Sequence, residues 1–368
     1  MHTEANQSAI LLFKHQLGAY KQLIDDDIAE YVQQNKQTTL KEYGAHARLA
    51  ADAYTSILER GGKRIRGALV MMGYEMSGGT DKAMILEAAR ALEMLHAYIL
   101  IIDDIQDRSV VRRGGPTAHI LLGDYHRAHS LADNEYHFGV AIALNSALLG
   151  CHSAQLTLAQ LDVPLEVRNR VISIVNQTMI TTAHGQTHDI MNEVSAEVSK
   201  ADIDRVLEWK TAHYTFLNPL HVGMVLAGAD QHSLDAITSY AMHAGRAFQI
   251  TDDVLGTFGS EFDSGKSPMD DMREGKRTVL TLHAIEHAKR ADKNFLIHML
   301  GNHNLTQAEF QRCKDILIES GAHDYARQQA EMHVAKALKS LDDDTNGWSD
   351  PGVQFLRGLA EYLLVRTS

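Results

Sequence analysis

The chain has very few residues that would interrupt a helix. It carries five prolines in 368 residues, and none of them precedes Pro116. Because a proline inside a helix removes a hydrogen bond and clashes with the preceding turn, the first part of the chain is open to long helices. Apolar residues recur along most of the chain at three- and four-residue spacing, the period of a helix buried on one side. The sequence therefore predicts an all-α fold.

The helical period divides the chain into segments that are separated by glycine pairs and polar stretches. The irregular stretches are 108–118, 123–137 and 259–276. No run of alternating β-branched residues is bounded by hairpin signals, and no repeat or linker occurs, so we predict no sheet and a single domain over 1–368. The predicted helices are 8–33, 81–107, 138–160, 166–192, 200–229, 234–257, 277–300, 306–320, 323–340 and 352–366.

Composition and charge exclude several classes of protein. The formal net charge is −12, which argues against non-specific binding to nucleic acid. The N-terminus has no signal-peptide pattern, and no apolar stretch is long enough to cross a bilayer, so we expect no stable membrane insertion. The two cysteines cannot form a disulfide framework, which suits a reducing compartment. These observations predict a cytoplasmic protein.

Two acidic clusters each end an apolar predicted helix. Asp103 and Asp107 are four residues apart and share one helix face, with Asp104 about 100° round from Asp103. Such charges repel one another near a helix C-terminus, and a hard divalent cation such as Mg²⁺ would relieve the repulsion. Asp252 and Asp253 form the second cluster and could face the first across a cleft. The alternative is a solvated helix end, which is how we interpret the clusters at 25–27 and 342–344.

Basic residues beside glycines accompany both clusters. The segment 61–66 reads GGKRIR, and Arg112 and Arg113 precede two glycines shortly after the first cluster. Lys266 and Lys276 follow the second cluster. Each alone would usually be a solvated loop charge, but the repeated order of apolar helix, aspartates and glycine-rich basic loop favours a diphosphate site bridged by metal. His96 lies two helical turns before Asp103 on the same face and could donate to the same anion.

Together these segments resemble the trans-isoprenyl diphosphate synthases, the family of farnesyl and geranylgeranyl diphosphate synthases. The similarity covers about 61–278, so the catalytic motifs are expected there, in a large bundle around a central apolar cavity (the isoprenoid synthase-type fold). It rests on GGKRIRG at 61–67, LHAYILIIDDIQDRSVVRRGGPT at 95–117, GQTHD at 185–189, Lys210-Thr211, FQITDDVLG at 248–256 and the later GK and EGKRT.

The resemblance implies that the chain condenses isopentenyl diphosphate with dimethylallyl, geranyl or farnesyl diphosphate, using two or three Mg²⁺ ions per active site. It implies catalytic roles for Asp103, Asp104, Asp107, Lys210, Asp252 and Asp253, of which Asp103, Asp104, Asp107 and Asp252 would bind metal. The residues matching the isopentenyl diphosphate site are Lys63, Arg66, His96 and Arg113. Those matching the allylic site are Arg112, Lys210, Gln249 and Lys266, with Thr211 as a further substrate-binding residue. The family is commonly homodimeric, and we expect a homodimer here.

The chain departs from the family pattern at several positions. Gly256 replaces the third aspartate of the second motif, and Gly67 replaces the proline that usually ends the first basic motif. Ile102 stands where many members carry histidine, Asn145-Ser146 falls where many carry Gly-Asp, and the stretch 123–137 is longer and more polar than expected. Some bacterial members share the shortened second motif, so these departures do not indicate an inactive enzyme.

Two positions bear on the length of the product. Tyr98 lies five residues before Asp103, and its ring can form the floor of a tunnel, while its neighbour Ile99 is only medium-sized. Relatives that make geranylgeranyl diphosphate can carry one bulky ring here, so we predict that product, with farnesyl or a longer diphosphate as the alternative. Tyr98 could also be an ordinary core residue.

Two other functions remain open from the sequence. A terpene cyclase also uses an aspartate-rich helix and Mg²⁺, but it would not need the basic segment 61–67 and Arg113 for a second diphosphate. A non-catalytic regulatory subunit of a partner synthase would be expected to lose the first aspartate motif, which is intact here.

Overall fold

The computed structural model describes residues 4–259, 267–343 and 347–366, and most of these residues are helical. The first half contains α1 (Glu4–Tyr43), α2 (Ala45–Glu59), α3 (Ile65–Met76), α4 (Lys82–Gln106), β1 (Val111–Arg112), β2 (Gly115–Pro116), α5 (Ala118–Ala128), α6 (Glu135–Gln160) and α7 (Leu165–Val194). The second half contains α8 (Lys200–Arg205), a π-helix (Val206–Leu217), α9 (Asn218–Leu226), α10 (Gln231–Phe258), α11 (Asp270–Glu274), α12 (Val279–His287), α13 (Arg290–Met299), α14 (Gln307–Glu319), α15 (Ala322–Asp343) and α16 (Asp350–Val365). The predicted all-α class is confirmed.

Helix α4 carries the first aspartate motif through the larger of the two apolar cores. Its central residues Leu92, Met94 and Leu95 are almost completely buried and belong to a cluster that also takes in α1–α3, α6, α7, α9, α10 and α16. A smaller cluster lies around α12–α15 and shares α10 with the site. The motifs at the ends of α4 and α10 are therefore held by helices that are anchored in packed cores.

The structure contains helices that the predicted list lacks, among them α2 and α3, and it also differs from the list at 123–137 and at the ribbon. Helix α3 has no counterpart among the predicted helices, because ten of its residues are buried and it shows no polar face that would reveal a helical period. Helix α5 extends into the stretch 123–137, for which the sequence predicts irregular structure. The helix is amphipathic there, since Leu122 and His126 are buried and most of its polar residues face outward. The predicted absence of any sheet is wrong, since β1 and β2 form a two-stranded antiparallel ribbon.

Two further predictions bear on the class of protein. Cys151 and Cys313 are both free thiols, as the cysteine count suggested. Among the helices of the described ranges, none is both long and apolar enough to cross a lipid bilayer.

Candidate active site

A cavity of about 740 Å³ opens between α3, α4, α7, the π-helix and α10. Asp104 is not among its described lining residues, and Lys266 lies outside the residues that the structure describes. The other predicted site residues all line it, namely Lys63, Arg66, His96, Tyr98, Ile99, Asp103, Asp107, Arg112, Arg113, Lys210, Thr211, Gln249, Asp252 and Asp253.

The first aspartate cluster divides between the cavity and the protein interior. Asp103 and Asp107 face the cavity, as their four-residue spacing predicted. Asp104 is turned inward with its side chain only 1% exposed, where it accepts hydrogen bonds from Nε (2.8 Å) and Nη2 of Arg112. The same Nη2 lies 3.2 Å from Oδ2 of Asp103. The side chain of Asp104 therefore orients Arg112. This geometry does not favour the predicted role of Asp104 as a direct metal ligand.

A tight turn begins directly after Arg112 and contains Arg113. In the ribbon Arg112 pairs with Gly115, and the two turn residues Arg113 and Gly114 both have positive φ, at 52° and 70°. Type I′ hairpin turns require positive φ at both central positions. Arg60 secures the ribbon by donating to the carbonyl of Pro116 at 2.6 Å. As a result Arg112 reaches the aspartates, whereas Arg113 reaches the opposite wall of the cavity.

Arg66, His96 and Arg113 form one group, which we call the basic corner. Lys63 lines the same cavity, but after burial the charges that act on its pKa are those of Arg366, which lowers it, and Asp252, which raises it. The guanidinium of Arg113 lies against Gly62, where an added Cβ would be 2.8 Å from Nη2. Arg66 stacks over the ring of Tyr214 at 4.1 Å, and the hydroxyl of Tyr214 lies 2.6 Å from Nδ1 of His96. Burial, together with neighbouring arginines, lowers the pKa of Arg113 to about 10 despite the nearby Glu93. An anion entering this corner would relieve that accumulation of positive charge.

Lys210 and Lys276 lie on the opposite side, among carboxylates. Nζ of Lys210 is 2.6 Å from Asp189 and 3.6 Å from Asp103. Nζ of Lys276 is 3.2 Å from Asp107 and 3.4 Å from the same oxygen of Asp189. Burial alone would raise the pKa of Asp189, but the two lysines overcome that effect and hold the pKa below its usual value. Asp189 therefore joins the two lysines at the edge of the first aspartate cluster.

A π-helix carries Lys210 and Thr211 to the cavity. An added Cβ at Gly185 of α7 would lie 2.3 Å from the backbone nitrogen of Lys210, and one at Gly245 of α10 would lie 2.5 Å from Ala212. Both neighbouring helices thus approach this helix more closely than any side chain would allow. Widened turns of this kind occur frequently at functional sites, because they re-aim side chains within a continuous helix.

The second aspartate cluster ends α10 and is tied to its surroundings. Asp252 accepts a hydrogen bond from Arg366 at 2.6 Å, and Asp253 accepts one from Gln249 at 2.8 Å. Burial raises the pKa of Asp253 well above its usual range. The hydrogen bond from Gln249 acts in the opposite direction, and the negative charge of Asp271 adds to the rise. A Cβ at Gly256 would meet Oδ2 of Asp271 at 2.7 Å, so the Asp271 carboxylate occupies the space beside the position where the family pattern has a third aspartate.

The cavity-facing carboxylates fit Mg²⁺ held jointly with substrate phosphate. In the described part of the chain, no three His, Cys, Asp or Glu residues already form a closed metal cage. Mg²⁺ is usually bound by one or two carboxylates together with waters and substrate phosphates. Asp103, Asp107 and Asp252 supply hard oxygen donors on two facing walls, beside cations that suit a bridging diphosphate.

Several residues of the site were not predicted as site residues from the sequence. Tyr214 lies four residues after Lys210, a spacing that could have shown a shared helix face. Arg366 lies far from the motifs in sequence and carries no local signal. Asp271 lies three residues before the EGKRT motif. Glu193 lies four residues after Asp189 of the GQTHD motif, a spacing that could have shown a shared helix face. The interpretation of the cluster 25–27 as solvated surface is wrong for two members, because Asp25 binds Arg64 at 2.7 Å and Asp27 binds Arg90 at 2.7 Å.

Fold and site together define an all-α enzyme with a cavity for two anionic groups, one at the aspartates and one at the basic corner. The polyprenyl synthetase family matches residues 47–317, so the chain belongs to that family. This agrees with the family expected from the motifs.

Individual relatives show the same likeness. A geranylgeranyl diphosphate synthase of Sulfolobus acidocaldarius is 29% identical over 315 residues, covering 86% of this chain and 90% of the relative. A geranylfarnesyl diphosphate synthase of Aeropyrum pernix is 30% identical, covering 77% of this chain and 84% of the relative. The crystal structure of geranylgeranyl pyrophosphate synthase from Corynebacterium glutamicum, complexed with isoprenyl diphosphate and magnesium, superposes with a TM-score of 0.89 at 30% identity. It covers 94% of this chain and 98% of the solved one.

Proposed function

We propose that the protein is a Mg²⁺-dependent prenyltransferase that condenses isopentenyl diphosphate with an allylic diphosphate. The observation that carries this proposal is the tight turn after Arg112, which directs Arg112 towards the aspartates and Arg113 towards Gly62 and so supports two separate sites for anions. The allylic diphosphate would lie at Asp103, Asp107, Asp252 and the two lysines. Isopentenyl diphosphate would lie at the basic corner.

Each wall of the cavity has a separate task in this reaction. Asp103, Asp107 and Asp252 would hold Mg²⁺, at two or three ions per site by family resemblance, and the bound metal would supply charge neutralisation for the leaving diphosphate. Arg112 and Lys210 stabilise the same developing charge, since they are already oriented by Asp104 and Asp189. The basic corner holds the second substrate so that its alkene lies beside the allylic carbon. The apolar wall of α4 keeps water from the allylic cation that forms when the diphosphate leaves.

Geranylgeranyl diphosphate is the product we propose. Both Tyr98 and Ile99 line the cavity on the wall of α4 that leads away from Asp103. Tyr98 is half-buried, burial raises the pKa of its hydroxyl, and Cys151 of α6 lies close to it. A ring wedged between α4 and α6 would stop the chain there, while Ile99 leaves room beside it. The relatives from Sulfolobus and Corynebacterium, named for this product, support the assignment.

The alternatives are a terpene cyclase and a non-catalytic subunit. A cyclase handles one diphosphate and has no need for the basic corner. A silent subunit would have no use for the lysines and carboxylates that are matched around Asp103 and Asp107. The geometry favours neither.

Incubation of the purified protein with radiolabelled isopentenyl diphosphate, one allylic primer and Mg²⁺ tests the proposal. We expect elongated prenyl diphosphate, no turnover in excess chelator, and a loss of at least about a hundredfold in Asp103→Ala, the scale of losing charge stabilisation in a transition state. Released hydrocarbon would indicate a cyclase, and no turnover by the wild type would indicate a subunit. Unchanged activity in chelator would overturn the metal assignment.

We also propose that two copies associate through α6 and α7. The exposed apolar residues of these helices include Leu144, Leu148 and Leu156 on α6 and Ile180 and Met191 on α7. Apolar surface of this kind commonly marks a protein interface. Sedimentation should show a dimer for the wild type and a monomer for Leu148→Glu, whereas a wild-type monomer would contradict the assignment. The cytoplasmic placement and the single domain over 1–368 stay predictions from the sequence.

A further inference from the structure

The segment that supplies Lys63 and Arg66 contains a third cation, Arg64, which is bound to other parts of the protein. Arg64 has a left-handed backbone, with φ at 52°, and its side chain is only 1% exposed. Its guanidinium donates to Asp25 of α1 at 2.7 Å and to the carbonyl of Leu58 at 2.7 Å. A bulky residue with positive φ is strained, so its surroundings must hold it in place.

Glu93 of α4 provides much of that support. Its Oε2 lies 3.3 Å from Nη1 of Arg64, and its Oε1 accepts a 2.9 Å hydrogen bond from the backbone N–H of Gly67. Glu93 is 2% exposed, so both bonds are shielded from water. The Glu93 carboxylate thus binds the segment 63–67 at two points, at Arg64 before Arg66 and at Gly67 after it.

Gly67 is the third residue of α3, and the N–H groups of a first helical turn need acceptors from elsewhere. The residue that precedes α3, Arg64, supplies no side-chain cap. Glu93 therefore caps α3 from a neighbouring helix, and its negative charge also suits the positive end of the helix dipole.

The departure from the family pattern at Gly67 fits this arrangement. A proline at this position has no N–H and could not bind Glu93. A Cβ here would also lie 2.7 Å from Cδ1 of Ile24 and 3.3 Å from Cγ of Glu93. In this chain the glycine lets α1, α3 and α4 approach closely enough for the carboxylate to bridge Arg64 and the helix end.

We propose that Glu93 is a positioning residue for isopentenyl diphosphate, because it fixes the backbone from which Lys63 and Arg66 reach the substrate. This inference rests on the proposed function, in which the basic corner binds that substrate. Glu93 also lies one helical turn before His96, so it links both parts of the corner. The competing explanation is an ion pair that only stabilises the core.

Steady-state kinetics of Glu93 variants separate the two explanations. Glu93→Ala should raise KM for isopentenyl diphosphate about tenfold or more, the equivalent of ~1.4 kcal/mol, with KM for the allylic primer nearly unchanged. Glu93→Gln keeps an oxygen acceptor for Gly67 and should recover part of the loss. The matched control is Asp27→Ala, which breaks the ion pair with Arg90, one turn earlier on α4, without touching 63–67.

A backbone comparison tests the same bond without altering a charge. Gly67→Ala and Gly67→Pro both add a Cβ, but only proline removes the N–H. We expect a higher KM for isopentenyl diphosphate in Gly67→Pro than in Gly67→Ala. This pair also decides the matter if Glu93→Ala fails to fold.

Two results would overturn the inference while leaving the proposed function intact. One is a Glu93→Ala variant that lowers Tm as Asp27→Ala does but keeps the wild-type KM for isopentenyl diphosphate. The other is an equal rise in KM for both substrates. In both cases Arg66→Ala should still lose affinity for isopentenyl diphosphate. If Arg66→Ala is unimpaired or the wild type is inactive, the proposed function itself fails.

Discussion

Arg112 and Arg113 are adjacent in sequence but serve different walls of the cavity. Arg112 binds Asp103 and Asp104, whereas Arg113 lies against Gly62 and donates to the carbonyl of Ile57. A turn with two positive φ angles produces this divergence within a few ångströms of chain. The proposal that each residue binds a different anion is based on this geometry.

Removing each arginine should therefore affect a different substrate. Arg112→Ala should mainly impair use of the allylic diphosphate, and Arg113→Ala binding of isopentenyl diphosphate, each by about 1.5–3 kcal/mol for a lost charged hydrogen bond. The measurement is kcat and KM for each substrate in both variants. Arg108→Ala is the control, because this exposed residue of the same loop contacts His303 and not the cavity. Equal impairment of both variants towards both substrates would contradict the assignment.

Most individual site residues could be predicted from sequence because the chemistry sits in short motifs. Four-residue spacing placed Asp103 and Asp107 on one face, and both line the cavity. The inward orientation of Asp104 could not be predicted, since it depends on a hydrogen bond from Arg112, whose position is set by the ribbon. Arg366 and Asp271 reach the second cluster from distant segments, and only the packing of α11 and α16 brings them there.

At the scale of elements, the π-helix has the least sequence signal. Its residues keep the apolar spacing of an ordinary helix, which is why 200–229 was predicted as one continuous α-helix. Its conformation coincides with close packing at Gly185 and Gly245, which lie in other helices. Amphipathic helices could be predicted from their own residues, but this one depends on contacts with neighbours.

Gly185→Ala tests whether that packing positions Lys210. The added methyl would lie 2.3 Å from the nitrogen of Lys210 and 2.6 Å from the carbonyl carbon of Trp209, and backbone atoms cannot move aside cheaply. We expect a loss of about 1–3 kcal/mol in unfolding free energy and a fall in kcat as Lys210 shifts from Asp189. Gly18→Ala is the control, because its Cβ meets nothing and alanine favours a helix, so stability should not fall. Wild-type kcat in Gly185→Ala would separate the packing from catalysis.

The second prediction at this scale concerns the part of α4 that lines the cavity, at Tyr98 and Ile99. If Tyr98 is the floor of the tunnel, Tyr98→Ala should stay active and make longer products, and Ile99→Phe should shorten them. Leu95→Ala, fully buried on the same helix and outside the cavity lining, should only destabilise, by about 2–5 kcal/mol. The measurement is the chain-length distribution of each variant with one primer. An active Tyr98→Ala with unchanged products would identify Tyr98 as ordinary core.

At the scale of the whole molecule, the fold keeps several histidines away from water. Burial is the largest cause of a lowered pKa at His96, His119, His213, His221, His243, His283 and His333. The count of 21 histidines is plain in the sequence, but which of them are buried depends on the packing of whole helices. A shared consequence is sensitivity of the fold to acid.

His333 of α15 shows the sign of this effect. Burial is the main cause that lowers the pKa of His333 from its usual 6.5 to about 3, and the neighbouring His243 is the next largest cause. The folded state therefore binds fewer protons than the unfolded state between these values. The contribution of His333 is complete above pH 6.5 and is lost progressively as the pH falls towards 3. Its Nδ1 lies 3.0 Å from Nδ1 of His243, so protonation of both rings would add repulsion.

His333→Phe should weaken this acid sensitivity, because a phenyl ring fills the site without titrating. We expect the Tm of the wild type to fall more steeply than that of the variant between about pH 6.5 and 4.5, a window above the usual carboxylate range. Comparing the two proteins cancels the titration of shared groups other than His243, which contacts His333. At pH 8 His333 is neutral in both states, so any difference there measures packing and the lost hydrogen bond with His243. Parallel Tm curves throughout the window would show that His333 is protonated as readily in the fold as in the unfolded chain.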